Sequence, residues 1–391
     1  MGIFSGASDN GKLAIVFDIG SSSVGVAIFH INQSKIPKII YSFRENIYIE
    51  KEFDFDKFLD STMKALDVVA LKASTAGLGA PKKFYCMLAS PWQASQTRVV
   101  KIEKNTPFTF TSKMGDDLVK KEIAKFTAEH ADKDGTLGAV VPIELKNMKT
   151  VLNGYATEKP LNQKTRDVEM TFLVSMSSEQ FLKSVTDAVS KHFHHNVNIK
   201  FSSFTMTAFA VTREIFADQD NFLIFDIGGE ITDISMIKKD IMGSSISFPI
   251  GLNFMARGIA NTMNCSLDEA RSLVSLYKEG HASALTEEAL KPAVTKLKSE
   301  WLAQLQVALA NLSNDISIPA TIFLTVDPNY ADFFSDLIKK EQFSQYTLTE
   351  SKFTIRFLGS DELHEAVVFE KNVIRDPFLI LESIYINRFL S

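Results

Sequence analysis

Two aspartates occupy matching places in two short glycine turns. Residues 17–26 read FDIGSSSVGV and residues 225–234 read FDIGGEITDI. Each turn follows an apolar run, LAIVF at 13–17 or NFLIF at 221–225, and re-enters another, VGVAIF at 24–29 or ITDISMI at 231–237. That is the pattern of strand, tight turn and strand. Small residues leave backbone N–H groups unscreened, and such concavities bind anions. Candidate donors to phosphate oxygens are Gly20, Ser21, Ser22 and Ser23 in the first turn, and Gly228, Gly229, Glu230 and Thr232 in the second. Ionised Asp18 and Asp226 only accept hydrogen bonds and repel phosphate. They make chemical sense as carriers of a divalent cation, held through water as Mg2+ usually is. Two such turns facing each other describe a clamp around a nucleotide–Mg2+ complex. The alternative is a pair of plain hairpins, each aspartate bonding its own turn. Matched surroundings favour the clamp.

The elements that must position these turns can be read from periodicity. The first segment gives strands at 13–18, 24–32 and 37–43, then a helical pattern over 55–74. Polar punctuation at 75–83 precedes the run FYCMLAS at 84–90 and the run RVVKI at 98–102. A helix-compatible stretch covers 112–130, strands follow around 138–145, 149–156 and 168–176, and a capped helix spans 177–193. Residues 83–193 therefore read as a compact α+β module set into the chain. The second half repeats strands around its turn, then predicts helices over 253–312, a buried strand at 318–326, a helix at 330–341 and a strand at 353–358. Hairpin, helix, module, then hairpin and helices again is an internal duplication with an insertion.

Composition narrows the class. At 391 residues there is room for two domains, and 45% apolar with 23% charged residues is ordinary for a globular protein. A net charge of −5 gives no basic field for nucleic acid. Cys86 and Cys265 are too few for a disulfide framework or a zinc site and predict a reducing compartment. The N-terminus MGIFSGASDNGK has no apolar core for a secretory signal, so a cytoplasmic location is expected. His192, His194 and His195 lack the spacing of a metal site, and Trp92 reads as a packed core residue. The ending PFLILESIYINRFLS has Arg388 as its only base, so it reads as a closing helix with no direct membrane insertion.

FDIGSSSVGVAI resembles the first phosphate loop of the actin/Hsp70/sugar-kinase superfamily, and FDIGGEITDISMI resembles the second. The inserted module and the passage FPIGLNFMARGIANTMNCSLDEARSLVSLYKEG at 248–280 are similar to the bacterial FtsA/PilM branch, which carries a 1C (SHS2) subdomain at this place. The resemblance implies an α/β actin-like ATPase fold, two lobes around a nucleotide cleft. Lobe 1 (subdomain 1A) would comprise 12–82 and 194–215, the 1C subdomain 83–193, lobe 2 (subdomains 2A/2B) 216–370, and a closing helix of lobe 1 371–391. It implies ATP with Mg2+ at Asp18 and Asp226, and Gly251, Glu269 and Asp327 on the adenosine side. It also implies an adaptor peripheral to the inner membrane, bound to the cytoplasmic peptide of a pilus or division protein, or self-associated into filaments.

Departures cut against full activity. Gly25 stands where a lysine is frequent, Glu230 and Ile231 replace a Gly-Thr pair, Leu252 replaces a glycine and Val274 a lysine. Asp327 and Pro328 stiffen a turn that in relatives is Gly-Gly against the adenosine. Three readings follow: an ATP-binding switch with slow or no hydrolysis, a pseudo-ATPase scaffold, and a small-molecule kinase. The last lacks a candidate substrate-base carboxylate.

Overall fold

The computed structural model describes residues 12–130, 139–193, 197–278, 280–313, 317–340 and 352–391. The chain begins with β1 (Lys12–Ile19), β2 (Ser23–Ile31) and β3 (Lys38–Asn46), then α1 (Phe55–Ser74) and β4 (Lys83–Leu88). Next come β5 (Ala94–Thr109), α2 (Ser112–His130), β6 (Val140–Leu152), β7 (Tyr155–Ala156), β8 (Lys164–Ser178) and α3 (Glu179–Ser190). β9 (Ile199–Ser203) and α4 (Phe204–Ile215) lead to β10 (Asn221–Ile227), β11 (Thr232–Lys238) and β12 (Ile241–Phe248). The remainder is α5 (Leu252–Met263), α6 (Leu267–Lys278), α7 (Ala284–Ser313), β13 (Thr321–Val326), α8 (Ala331–Lys340), β14 (Thr354–Phe357), α9 (Ser360–Leu363), β15 (Val368–Phe369) and α10 (Pro377–Tyr385).

Two sheets repeat one plan. The first has the order β15-β3-β2-β1-β4-β9 and the second β12-β11-β10-β13-β14. β1 runs antiparallel to β2 and parallel to β4, as β10 runs antiparallel to β11 and parallel to β13. A third sheet, β5-β8-β6-β7, lies between β4 and β9 in sequence. β4 itself hydrogen-bonds between β1 and β9, and α3 buries Phe181, Val185 and Val189 against the α1 side of the first sheet. The strand at 83–88 and the helix at 179–190 thus belong with lobe 1, a correction to the 83–193 boundary. Their apolar faces are part of the lobe 1 core.

Strand parity explains why the two turns meet. β1 and β10 are buried on both faces, which requires near-continuous apolar runs. In β1, Ala14 and Val16 face the core shared with the second sheet, while Ile15, Phe17 and Ile19 pack under α1. In β10, Phe222 and Ile224 face that shared core, while Leu223, Phe225 and Ile227 face α7 and α8. Asp18 and Asp226 continue the inward parity of the two strands. α4 and α10 fill the space between the sheets through Phe204, Phe209, Val211, Ile380, Leu381 and Ile384. α4 starts at Ser203, whose side chain caps Met206 N. α10 starts at Asp376, which caps Phe378 N and Leu379 N, with Pro377 in the first turn where its missing N–H costs nothing. Among the described residues no helix is long and apolar enough to cross a membrane.

The third sheet is tied to lobe 1 by a buried polar network. Glu144 on β6 accepts from Ser202 Oγ (2.6 Å), Ser203 N (3.1 Å), Ser203 Oγ (2.9 Å) and Tyr385 OH (2.7 Å). Thr97 Oγ1 on β5 also donates to Met242 O on the edge of the second sheet at 2.9 Å.

Candidate functional site

The two turns come together and touch. Ser21 Oγ accepts the Glu230 N–H at 3.1 Å, and Asn253 Nδ2 approaches Ser21 O at 3.4 Å. A Cβ on Gly229 would lie 2.5 Å from Ser21 O, so only a residue without a side chain allows this approach. Gly20 N donates to Ser23 O at 3.2 Å and Gly228 N to Ile231 O at 2.9 Å. These amides close their own turns and are not free for an anion. The space left between the turns is about 30 Å³ and is lined by Asp18, Gly20, Arg44, Asp226, Asp233 and Asp327, among others. That holds a water molecule or two. Ligand pockets for drug-sized molecules run to roughly 300 Å³ or more.

Arg44, which sequence reasoning passed over, dominates the floor. Its Nη2 lies 2.7 Å from Asp18 Oδ2, its Nε 2.5 Å from Asp376 Oδ2 and its Nη1 3.0 Å from Ser23 Oγ. A fourth bond joins Nη2 to Asp376 Oδ1 at 3.0 Å. The guanidinium also lies over the Phe378 ring, 5.1 Å from its centroid. Burial works against the arginine charge, but Asp376 and Asp18 outweigh it and hold its pKa above the ordinary value. Glu382, one helical turn and more beyond Asp376, is fully buried beside Asp18. Burial, reinforced by Asp18, pushes its carboxyl well up, and neither oxygen accepts from a donor among the described residues. Asp18 and Arg44 are its charged neighbours, the first raising and the second lowering its pKa. Burial also raises Asp18 itself, with Arg44 opposing.

On the other lobe, burial first and the neighbouring Asp233 second push Asp226 up to about 8. Its Oδ1 accepts from Thr325 Oγ1 at 2.8 Å. Glu230 points away from the turn contact and takes a bidentate pair from Arg257, at 2.6 and 2.8 Å, plus Asn253 Nδ2 at 2.8 Å. Arg257 Nε reaches across to Glu50 O at 2.8 Å. Trp92 stacks between Phe58 and Phe181, centroids 5.0 and 4.5 Å away, and donates Nε1–H to Gly20 O at 2.8 Å. It is a core residue that also pins the first turn.

Most predicted site residues therefore gather in one place: Asp18, Gly20, Ser21, Ser22, Ser23, Asp226, Gly228 and Asp327 share the small cavity. Gly251 backs onto it, since Leu252 N donates to Gly228 O at 2.9 Å. Thr232 does not join them. Its hydroxyl donates to Ile250 O at 2.7 Å and receives Trp301 Nε1–H at 3.3 Å on the far face of the sheet. It pairs with Ile227, and that register puts it on the outward parity. Glu269 is exposed on α6 and lines no part of this cavity. Asp327 accepts from Asn329 N at 2.8 Å and caps its own turn. His192 Nε2 lies 2.9 Å from Asp67 Oδ1, while His194 and His195 fall outside the described residues.

Over 96% of this chain and 96% of the other, the structure superimposes on one described as a PilM-PilN type IV pilus biogenesis complex, with TM-score 0.59 and 14% identity. The fold is that of the actin-like ATPases. Two further actin-like structures match more loosely. MreB 5 of Spiroplasma citri bound to AMPPNP has TM-score 0.44, 9% identity and 96% coverage of both chains. The ethanolamine utilization protein EutJ from Carboxydothermus hydrogenoformans has TM-score 0.42 and 12% identity over 95% of this chain and 88% of that one. No family model and no curated protein matches the sequence.

ATP with Mg2+, the ligand this actin-like fold suggests, does not fit the residues as they stand. Asp18 Oδ2 and both oxygens of Asp376 are committed to Arg44. Burial and Asp233 together favour the neutral form of Asp226 in this closed arrangement. Among the described residues no group of three His, Cys, Asp or Glu side chains is arranged to hold a metal.

Proposed function

We propose that the chain is an actin-like scaffold that acts by binding protein partners at the cytoplasmic side of a bacterial inner membrane, without ATP hydrolysis. The carrying observation is the direct contact of the two turns, Ser21 on Gly229 and Glu230, around a cavity of about 30 Å³. A triphosphate between the turns would have to break that contact. Full-length similarity to a PilM-PilN complex supports a partner of the pilus-assembly kind, a membrane protein presenting a cytoplasmic segment. Of the two actin-like readings, the pseudo-ATPase scaffold agrees with the committed amides, and the ATP switch does not.

Titrating the purified chain with cytoplasmic segments of inner-membrane proteins encoded beside it tests this reading. Calorimetry is expected to give the same dissociation constant with and without millimolar MgATP, and phosphate release is expected at background. Binding that requires MgATP, or turnover above background, would restore the switch.

A further inference from the structure

The nucleotide-independent reading leaves a physical problem: Asp18, which shares the cavity with Asp226, also has the carboxyls of Asp376 and Glu382 beside it. Arg44 is the group that answers it. β2 and β3 pair so that Gly25 stands opposite Arg44. Gly25 sits inside the regular strand β2 and is not among the positive-φ glycines, so its backbone does not need glycine. Its missing side chain matters for room. A Cβ there would lie 2.7 Å from Arg44 Nη2, 2.9 Å from its Cζ and 3.2 Å from Leu379 Cδ2. Arg44 thus lies flat across β2 through a gap left by glycine. Its donors reach Asp18, Ser23 and both oxygens of Asp376, and its face covers Phe378. This is the planar fork geometry that arginine provides and lysine does not.

We propose that Arg44 is the built-in cation of this cleft, occupying through Gly25 the place of a divalent metal and making closure of the lobes independent of nucleotide. Asp376 anchors it from the cap of α10, so the closing helix is part of the same device. Asp18 keeps its place in the wall because its counter-charge is covalently part of the chain. Burial keeps Glu382 toward its neutral form, so Arg44 balances chiefly Asp18 and Asp376. Ser21 and Arg257 then join the lobes over a floor that needs no diffusible ion.

The test is thermal unfolding of the full chain with Mn2+ alone and with MgATP at millimolar concentration. For the wild type no shift in Tm is expected with either. Arg44→Met, which keeps the stem and removes the charge, is expected to lose roughly 5 °C and to recover a measurable part of it with Mn2+, because the freed carboxylates then share a metal. Gly25→Ala, which displaces the guanidinium without deleting it, is expected to lose stability in the same direction. A wild-type rise with MgATP overturns the proposal. So does an Arg44→Met variant that is destabilised yet indifferent to Mn2+, which would make Arg44 a structural ion pair only. If Arg44→Met does not fold, Gly25→Ala and the wild-type titration decide alone. Loss of partner binding with these results intact would sink the scaffold reading and leave Arg44 in its role.

Discussion

Replacing Asp226 by asparagine should make the protein more stable and flatten its response to pH. The carboxyl moves from an ordinary 3.8 to about 8 on folding, through burial and the adjacent Asp233. Between those values the folded chain holds a proton that the unfolded chain has released. Stability therefore falls as pH rises across this window. Below about 4 both states are protonated, and above about 8 both are ionised, so the group adds no slope there. At about 1.4 kcal/mol per pH unit the full cost would be roughly 6 kcal/mol, an upper bound. Asp226 keeps part of its surface open to the cavity, and a water there trims the cost to roughly 3 kcal/mol. Asparagine keeps the Oδ1 that accepts from Thr325 and removes the ionisation. Urea unfolding of both proteins at half-unit steps of pH between about 5 and 9 measures the two slopes. The wild type should lose stability relative to Asp226→Asn as pH rises, the difference levelling above about 8. Parallel curves would refute the reasoning, because the titrating group would then lie elsewhere.

Other substitutions probe the contact between the lobes. Gly229→Ala forces a Cβ against Ser21 O, and should raise proteolysis rates between the lobes and widen the molecule in small-angle scattering. An unchanged radius of gyration would show that the turns yield locally. Arg257→Ala strands Glu230 and frees Glu50 O, at an expected cost of about 3 kcal/mol in chemical denaturation. A cost below about 1 kcal/mol would mean the pair is solvent-screened. Trp92→Phe keeps the stack on Phe58 and Phe181 but drops the bond to Gly20 O, for about 1 kcal/mol, whereas Trp92→Ala should cost about 4 kcal/mol. Equal losses in the two variants would contradict the assignment of most of the energy to stacking.

Much of this architecture is legible along the chain where one strand or helix decides it. The doubled, near-continuous apolar runs before Asp18 and Asp226 reveal the paired strands, and strand parity turns both acids to the same side. Parity also excludes Thr232 from the cleft once Ile227 is taken as its partner. Arg44 was within reach of the same logic, since aligning β2 with β3 sets it opposite Gly25. Asp376 and Glu382 were not, because they arrive from the far end of the chain and only tertiary packing brings them under Asp18. The status of the turn amides was hidden for a similar reason. Whether the N–H of Glu230 is free depends on the approach of the opposite turn, and a local motif carries no information about that distance.

The helices between the two sheets have a mechanical consequence. Phe222, Ile224 and Phe323 of one sheet share a single apolar mass with Val16, Phe29 and the helices α4 and α10. A jaw cannot swing freely when its hinge is filled with interlocked side chains. A pull on the third sheet would travel through Glu144 to Ser203 and Tyr385, at the root of that mass. Such packing ties displacement of the third sheet to the core between the two main sheets.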